Sequence, residues 1–285
     1  MSVPSAVYKE LVYGGHLLAL GTSSIAATAA LLLGKSPTWD LLLMGYLFTL
    51  GAYTINRVSD FREDALSHPD RTAYLRGRLG TLKGVAAGCF AIGYFLAYLR
   101  NIVFFAALLV PLALALAYSL GSDAMKGALG ASRLKDVVLV KNVTISFGWS
   151  LIPVMVGLYF LQLPLAILAL SPFIFLRLMV NTIFFDQRDV EADRAVGVKT
   201  LPLAMGGRGS SRVMDIIDVG AGAYLAAVVA AGVLPLFTAA LLIFVPYSLV
   251  YRAYARSGKH RDSLRDFAAD GEYVLWGVVT YIGHL

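Results

Sequence analysis

Long apolar runs constrain the fold of this chain more than any other feature. A helix needs roughly 20 largely apolar residues to cross a bilayer, and nine segments of the 285-residue sequence approach that length. Their predicted bounds are 11–33, 38–55, 83–99, 102–119, 137–157, 164–185, 213–233, 235–252 and 271–285. Only 15% of the residues are charged, against about a quarter in soluble domains. We therefore expect an all-α membrane protein with about nine transmembrane helices.

The connections between these runs alternate in length, which indicates how the chain crosses the membrane. Spans 1–2, 3–4, 5–6 and 7–8 are joined by a few residues each, whereas the other connections are long and polar. Lys and Arg residues gather on the face with the long connections, and the opposite face has Lys35 and Arg100. Because positively charged loops stay inside the cell, we expect a multi-pass protein of the cell membrane with cytoplasmic polar loops. This bias explains the net charge of +6, so we expect no nucleic-acid partner.

A weak internal repeat suggests how the spans are organised. An acidic cluster follows span 2, and a second one follows span 6. We expect one domain over 1–285, with four-helix halves at 11–119 and 137–252 and a ninth helix after them. Repeated halves commonly place their site at the mutual interface. The predicted bundle therefore has a central cavity that the cytoplasmic polar loops cap.

The two acidic clusters are the candidate metal site. Each cluster stands where a span leaves the membrane, and its spacing places its members on one helical face if the helix continues. The predicted ligands are Asn56, Asp60 and Asp64 in the first cluster and Asp186, Asp189 and Asp193 in the second. Carboxylates packed so closely repel one another, and Mg²⁺ prefers a few such oxygens together with water and phosphate. We expect Mg²⁺ between the clusters, although either cluster alone would also suit a solvated helix end.

Basic side chains near these clusters are candidates for binding phosphate. Lys135 and Lys141 flank the start of span 5, and Arg71 closes the first polar loop. Each of these three could equally serve only to orient the chain. Arg194 directly follows the second cluster and either contacts phosphate or balances the neighbouring acids. Arg177 lies inside span 6, where a charge indicates either a functional residue or a structural pair with a carboxylate of the second cluster.

The order and spacing of these residues resemble the UbiA superfamily of intramembrane prenyltransferases. The first signature of that family, N-D-x-x-D-x-x-x-D, is matched by Asn56, Asp60 and Asp64. The second is a D-x-x-x-D stretch with an R-x-x-G-x-x-T-L-P tail, and it is matched by Asp189, Asp193, Arg194, Gly197, Thr200, Leu201 and Pro202. Arg57 departs from the pattern, because the family often has Asp there. That departure would remove one metal ligand.

The resemblance implies Mg²⁺-dependent transfer of an isoprenyl group from an isoprenyl diphosphate to a lipophilic or membrane-associated acceptor. The residues carried over as catalytic are Asp60, Asp64, Asp189 and Asp193. The diphosphate-binding residues that we predict are the basic candidates named above, Arg71, Lys135, Lys141 and Arg194.

Three other functions compete with this one. A UbiA-type terpene cyclase would use the same acids. A transporter with a divalent-cation site predicts acids near the bilayer midplane, whereas most of these stand at span ends. A CDP-alcohol phosphotransferase requires an Asp-Gly with a nearby Ala-Arg, which the first cluster lacks. The acceptor and the length of the isoprenyl chain stay open.

Overall fold

The computed structural model describes residues 3–59, 61, 64–65, 69–113, 139–197, 199–256 and 262–285. The regular elements within these ranges are all helical, as the apolar runs predict. In chain order they are α1 (Val3–Tyr8, continued by a π-helix, Lys9–Tyr13), α2 (His16–Leu32), α3 (Trp39–Ser59), α4 (Pro69–Leu75), α5 (Leu79–Arg100), α6 (Ile102–Ala107), α7 (Val140–Ser150), α8 (Ile152–Tyr159), α9 (Leu165–Arg188), α10 (Val190–Val196), α11 (Leu201–Ala230), a 3₁₀-helix (Leu236–Ile243), α12 (Phe244–Arg256) and α13 (Asp262–His284). Two predicted site residues, Asp60 and Lys135, lie outside the described residues.

Five helical segments in the described part of the chain are long and apolar enough to cross a membrane, and each overlaps a predicted span. They are Leu79–Arg100, Val140–Tyr159, Leu165–Arg188, Leu201–Ala230 and Leu236–Arg256. A sixth candidate is the first predicted span, which is bent by 59° between Tyr13 and His16. Gly15 allows this bend, because its φ of +88° is a left-handed conformation that glycine adopts without strain. The predicted count of nine spans stays a prediction.

Two predicted bounds are wrong by more than a turn. α11 begins at Leu201 rather than at residue 213, and it passes through a kink at Gly206, whose φ is +72°. α13 begins at Asp262 rather than at residue 271 and is 23 residues long. The acids before residue 271, such as Asp266, made this part of the helix resemble a polar loop in the sequence. They are tolerated because neighbouring helices supply cationic partners.

The helix α13 packs closely on α2 in the centre of the molecule. A Cβ added at Gly21 would lie 2.9 Å from the Cβ of Tyr273, and one at Gly277 would lie 3.0 Å from that of Ser24. The Ser24 hydroxyl also donates to the Val274 carbonyl at 3.0 Å. Small residues that let backbones approach, together with hydroxyl hydrogen bonds between helices, are how helices associate in lipid.

A buried ionic network joins four helices in the C-terminal part of the chain. The guanidinium of Arg177 on α9 pairs with Asp218 on α11 and Glu272 on α13. Asp218 also accepts from Arg252 Nη2 on α12 at 2.6 Å and from the Ser248 hydroxyl. Of the two alternatives for Arg177, the structural pair is found, but its partners are not carboxylates of the second acidic cluster. The true carboxylates belong to later helices, which sequence spacing could not identify.

Candidate active site

The second acidic cluster stands where α9 gives way to α10. The spacing predicted one continuous helix, and this is wrong, because α9 ends at Arg188 and Asp189 links it to α10. The break is small. The Asp189 amide donates to the Phe185 carbonyl at 3.1 Å, and the Asp193 amide donates to the Asp189 carbonyl at 2.9 Å. The acids of this cluster consequently stay together despite the interruption.

Asp186 is held by the start of α7. Lys141 Nζ lies 2.7 Å from Asp186 Oδ1, and the Asn142 amide donates to Asp186 Oδ2 at 2.8 Å. The Asp186 side chain is 1% exposed, whereas that of Lys141 is 26% exposed. Burial strengthens such charge-assisted bonds and makes the loss of one partner costly. Lys141 therefore reaches from solvent to a buried member of the second cluster.

Asp193 is the most perturbed acid of the site. The pKa of its carboxyl group is raised to about 6, chiefly by burial and also by the charges of Asp186 and Asp189, against the opposing effects of Lys141 and the Thr200 side chain. Its Oδ2 atom is buried and has no hydrogen-bond partner in the described part of the structure. A carboxylate oxygen in such a position, among like charges, is stabilised by a nearby cation.

The first cluster is described in part. Asn56 stands in the last turn of α3, and its Oδ1 atom is buried without a hydrogen-bond donor among the described residues. Asp64 forms an ion pair with Arg71 at 2.9 Å, and each side chain is 20% exposed. Asp64, a predicted metal ligand, and Arg71, a predicted phosphate-binding residue, thus neutralise each other.

Arg57 has a structural role at the position where an acid was expected. Its guanidinium is buried and donates to the Tyr13 carbonyl and, at 3.0 Å, to the Val12 carbonyl. These carbonyls lie at the end of the π-helix, where the bend interrupts helical hydrogen bonding. A Cβ added at Gly15 would lie 3.1 Å from Arg57 Nη1. Arg57 therefore fastens the end of α3 to the break in the first span.

The remaining basic residues of the site differ in their surroundings. Arg188 Nε lies 2.9 Å from Asp189 Oδ1, and Arg188 also pairs with Asp266 of α13. Arg194 is exposed at the surface of α10. Sequence reasoning missed Asn142 and Asp266. The position of Asn142 beside Lys141 was an available signal, whereas no local pattern marks Asp266.

An apolar cavity of about 290 Å³ lies below Asn56. It is bounded by α2, α3, α5, α6, α7 and α8, and its lining includes Leu41, Phe48, Tyr53, Phe90, Tyr94 and Met155. Asn56 on α3 and Thr144 on α7 both line it. Thr144 lies one turn after Lys141, which binds Asp186 of the second cluster. Asn56 marks the polar end of the cavity, its mouth, and the second cluster is linked to the lining through Lys141.

The residues at the mouth suit a hard divalent cation whose coordination is completed by the phosphate groups of a substrate. The two orphaned oxygens, Asn56 Oδ1 and Asp193 Oδ2, come from different clusters and are of the type that Mg²⁺ prefers. Within the described ranges, no three Asp, Glu, His or Cys side chains converge closely enough to hold a metal ion. Mg²⁺ commonly binds through one or two carboxylates and completes its shell with water and substrate phosphate. The predicted ligand Asp60 lies outside the described residues.

These features define a class of intramembrane protein: apolar helices surround an apolar cavity, and acidic and basic side chains stand near its polar end. Such a protein suits a ligand that joins an apolar tail to an anionic group. The chain belongs to the UbiA prenyltransferase family, whose model matches residues 18–276. It is accordingly an integral membrane protein. The resemblance to this family is thereby confirmed.

Two relatives of known name are similar over part of their length. The chain is 32% identical over 177 residues to digeranylgeranylglyceryl phosphate synthase of Methanopyrus kandleri. The aligned region covers 59% of this chain and 58% of the relative. The chain is 34% identical over 181 residues to the synthase of the same name from Methanothermobacter thermautotrophicus, which covers 63% and 60%. The match thus spans about three fifths of the length of each relative.

Solved structures show the same fold at low sequence identity. A UbiA homolog from Archaeoglobus fulgidus bound to GPP and Mg²⁺ has a TM-score of 0.64 at 15% identity, covering 97% of this chain and 98% of that one. The apo structure of a UbiA homolog from Aeropyrum pernix K1 has a TM-score of 0.68 at 18% identity, covering 94% and 96%. At these identities the similarity establishes the fold.

Proposed function

We propose that this protein transfers an isoprenyl group from an isoprenyl diphosphate to a lipophilic, membrane-associated acceptor in a Mg²⁺-dependent reaction. The observation that carries the proposal is a buried oxygen in each acidic cluster that has no donor among the described residues, Asn56 Oδ1 and Asp193 Oδ2, the first of them in a residue that lines an apolar cavity. The cation would neutralise a diphosphate there, and the cavity would receive the isoprenyl tail. The ligand set we propose is Asn56, Asp60, Asp64, Asp186, Asp189 and Asp193.

Basic side chains at the mouth would hold the diphosphate as it leaves. Lys141 is the best placed of them, because Asp186 fixes its ammonium while about a quarter of its side chain faces solvent. Arg71 is fixed in a comparable way by Asp64. Such preorganised charges stabilise the negative charge that develops on a leaving group. We propose Lys135 and Arg194 as further diphosphate contacts.

The cavity would protect the allylic carbocation that remains when the carbon–oxygen bond breaks. Tyr53, one turn before Asn56, contributes an aromatic ring to the cavity lining near the mouth. Ring faces attract a cation, and an apolar lining keeps water away from it. The acceptor, rather than water, would then capture the cation, and the acceptor nucleophile would lose a proton.

We infer an acceptor that is a glyceryl phosphate lipid. Two relatives are named for a product that carries geranylgeranyl groups on a glyceryl phosphate. The many arginines of the polar loops would suit an anionic acceptor of this type. A terpene cyclase would instead form its product without any acceptor.

We infer, in addition, that the chain crosses the membrane nine times as two four-helix halves and a ninth helix, with the site on the cytoplasmic side. The apolar helices found and the charge bias of the loops support this topology. Single cysteines placed at Lys35 and at Arg194, in a Cys89→Ala background, would test it. Labelling of both positions from one side of sealed vesicles would refute it.

An assay with purified protein tests the proposed activity. Radiolabelled geranylgeranyl diphosphate, Mg²⁺ and geranylgeranylglyceryl phosphate should yield a doubly alkylated lipid, and a chelator should abolish its formation. Asp193→Asn should remove turnover, whereas Glu191→Gln, an exposed acid of the same helix, should not. Full turnover by Asp193→Asn would refute the metal site. An acceptor-independent hydrocarbon product would favour the cyclase.

A further inference from the structure

Building on the proposed function, we infer that the ring of Phe48 determines how long an isoprenyl tail the cavity accepts. Phe48 lines the cavity from the middle of α3. It is neither at the polar mouth nor at the far end. A bulky group at that depth would meet the later units of a long tail and leave a short tail untouched.

The depth of Phe48 follows from its place on the helix. Asn56, Phe48 and Leu41 all line the cavity from α3. At 1.5 Å per residue, Phe48 lies about 12 Å below Asn56 and Leu41 about 22 Å below it. Extended chains advance about 1.2 Å per bond, as the backbone does. Isoprene units contribute four bonds each, so two units reach about 10 Å and four reach about 19 Å. The third and fourth units would therefore pass Phe48.

The Phe48 ring is held in place by its neighbours on α5. Its centroid lies 5.0 Å from that of Tyr94 and 6.1 Å from that of Phe90. Gly93 faces the tip of the ring, and a Cβ added there would lie 3.0 Å from the Phe48 Cζ atom. Such a Cβ would force the ring to move. Because Tyr94 and Phe90 flank the ring, the cavity is the unfilled side into which it would turn.

Polar contacts behind the far end of the cavity support its wall. Phe104 lines that end, and its ring lies 5.6 Å from the ring of Tyr159. The Tyr159 hydroxyl donates to Asp40 at 2.8 Å. The guanidinium of Arg100 stacks over the Tyr159 ring at 4.1 Å. This support keeps the end wall in place, so the space beside Phe48 is the part that a side-chain change can adjust.

The experiment compares two alanines on one helix. Gly93→Ala pushes on the Phe48 ring, whereas Gly88→Ala is the matched control, because a Cβ there meets no atom within 4 Å. Both changes raise helix propensity equally. The kcat/KM is measured with geranyl, farnesyl and geranylgeranyl diphosphate, which carry two, three and four isoprene units. Gly93→Ala should lower the geranylgeranyl-to-geranyl ratio of kcat/KM by about fivefold, and Gly88→Ala should leave it unchanged.

A second variant tests the opposite direction. Phe48→Leu should raise the same ratio and extend turnover to a five-unit diphosphate. Equal losses for all chain lengths in Gly93→Ala, in protein whose melting temperature matches that of Gly88→Ala, would overturn the inference. So would an unchanged ratio in Phe48→Leu. If the wild-type protein turned over none of the three diphosphates, the proposed function itself would fail, which is a distinct result.

Discussion

Removing Arg177 should destabilise the protein more than any exposed substitution, because it strands two buried carboxylates. The Arg177, Asp218 and Glu272 side chains are each at most 1% exposed. Arg177→Met conserves much of the volume but leaves Arg252 as the nearby cation for Asp218 and Glu272. Breaking a buried ion pair by deleting one partner costs about 3–5 kcal/mol. We expect a loss of this size, and a fall in Tm of roughly 5–15 °C.

Double substitution tests whether the cost comes from charge rather than packing. Glu272→Gln alone should also destabilise, because Arg177 loses two hydrogen bonds to a carboxylate, one of them from Nε at 3.2 Å. In the double variant the stranded charge at Glu272 is gone. The sum of the stability losses of the two single variants should therefore exceed the loss measured for the double variant by about 1–3 kcal/mol.

The assay is thermal unfolding of purified protein in one detergent, read by intrinsic tryptophan fluorescence, for the wild type, both single variants and the double variant. Arg212→Met is the control, because Arg212 is an exposed arginine on α11. It should shift Tm by less than about 2 °C. Strict additivity of the two single losses, or a loss for Arg177→Met no larger than for Arg212→Met, would refute the ionic explanation.

Three further predictions concern the mouth of the cavity. Lys141→Ala should raise the KM for the diphosphate more than that for the acceptor, and should lower Tm because Asp186 loses its cation; equal KM changes would contradict it. Arg57→Leu should cost about 1–3 kcal/mol by leaving two carbonyls without donors, whereas an unchanged Tm would show that water replaces the guanidinium. Because the pKa of Asp193 rises from 3.8 to about 6, the metal-free protein should lose stability as the pH rises from about 4 to 6. Added Mg²⁺ should restore it at pH 7 and bind more weakly below pH 6, and Asp193→Asn should abolish both effects.

Helices and their membrane character were predictable because they depend on local composition. Five long apolar helices and the bent first span fall on predicted spans, since apolar runs of that length are stable in lipid only as helices. The grouping of Asp186, Asp189 and Asp193 was predictable for the same reason. Residues three and four apart stay neighbours even across the break at Asp189.

Charge pairing between distant helices was not predictable from spacing. Arg177 and Glu272 are 95 residues apart in the chain, and Lys141 and Asp186 are 45 apart. The start of α13 was missed for this reason. Its acidic residues resemble those of a polar loop unless their partners on other helices are known. The structural role of Arg57 was unpredictable for a similar reason, since the carbonyls that it binds belong to the bent first span.

By itself, the sequence determined that the chain is a membrane protein, which of its loops are basic and where the two acidic clusters lie. These results were accessible because hydropathy and short-range spacing are local properties. The tertiary structure alone decided which charges neutralise each other, which buried oxygens have no donor among the described residues, and how deep Phe48 lies below Asn56. The physical reason is that burial and pairing depend on which helices pack together. A buried charge is stable only beside a partner that the fold, and not the neighbouring sequence, supplies.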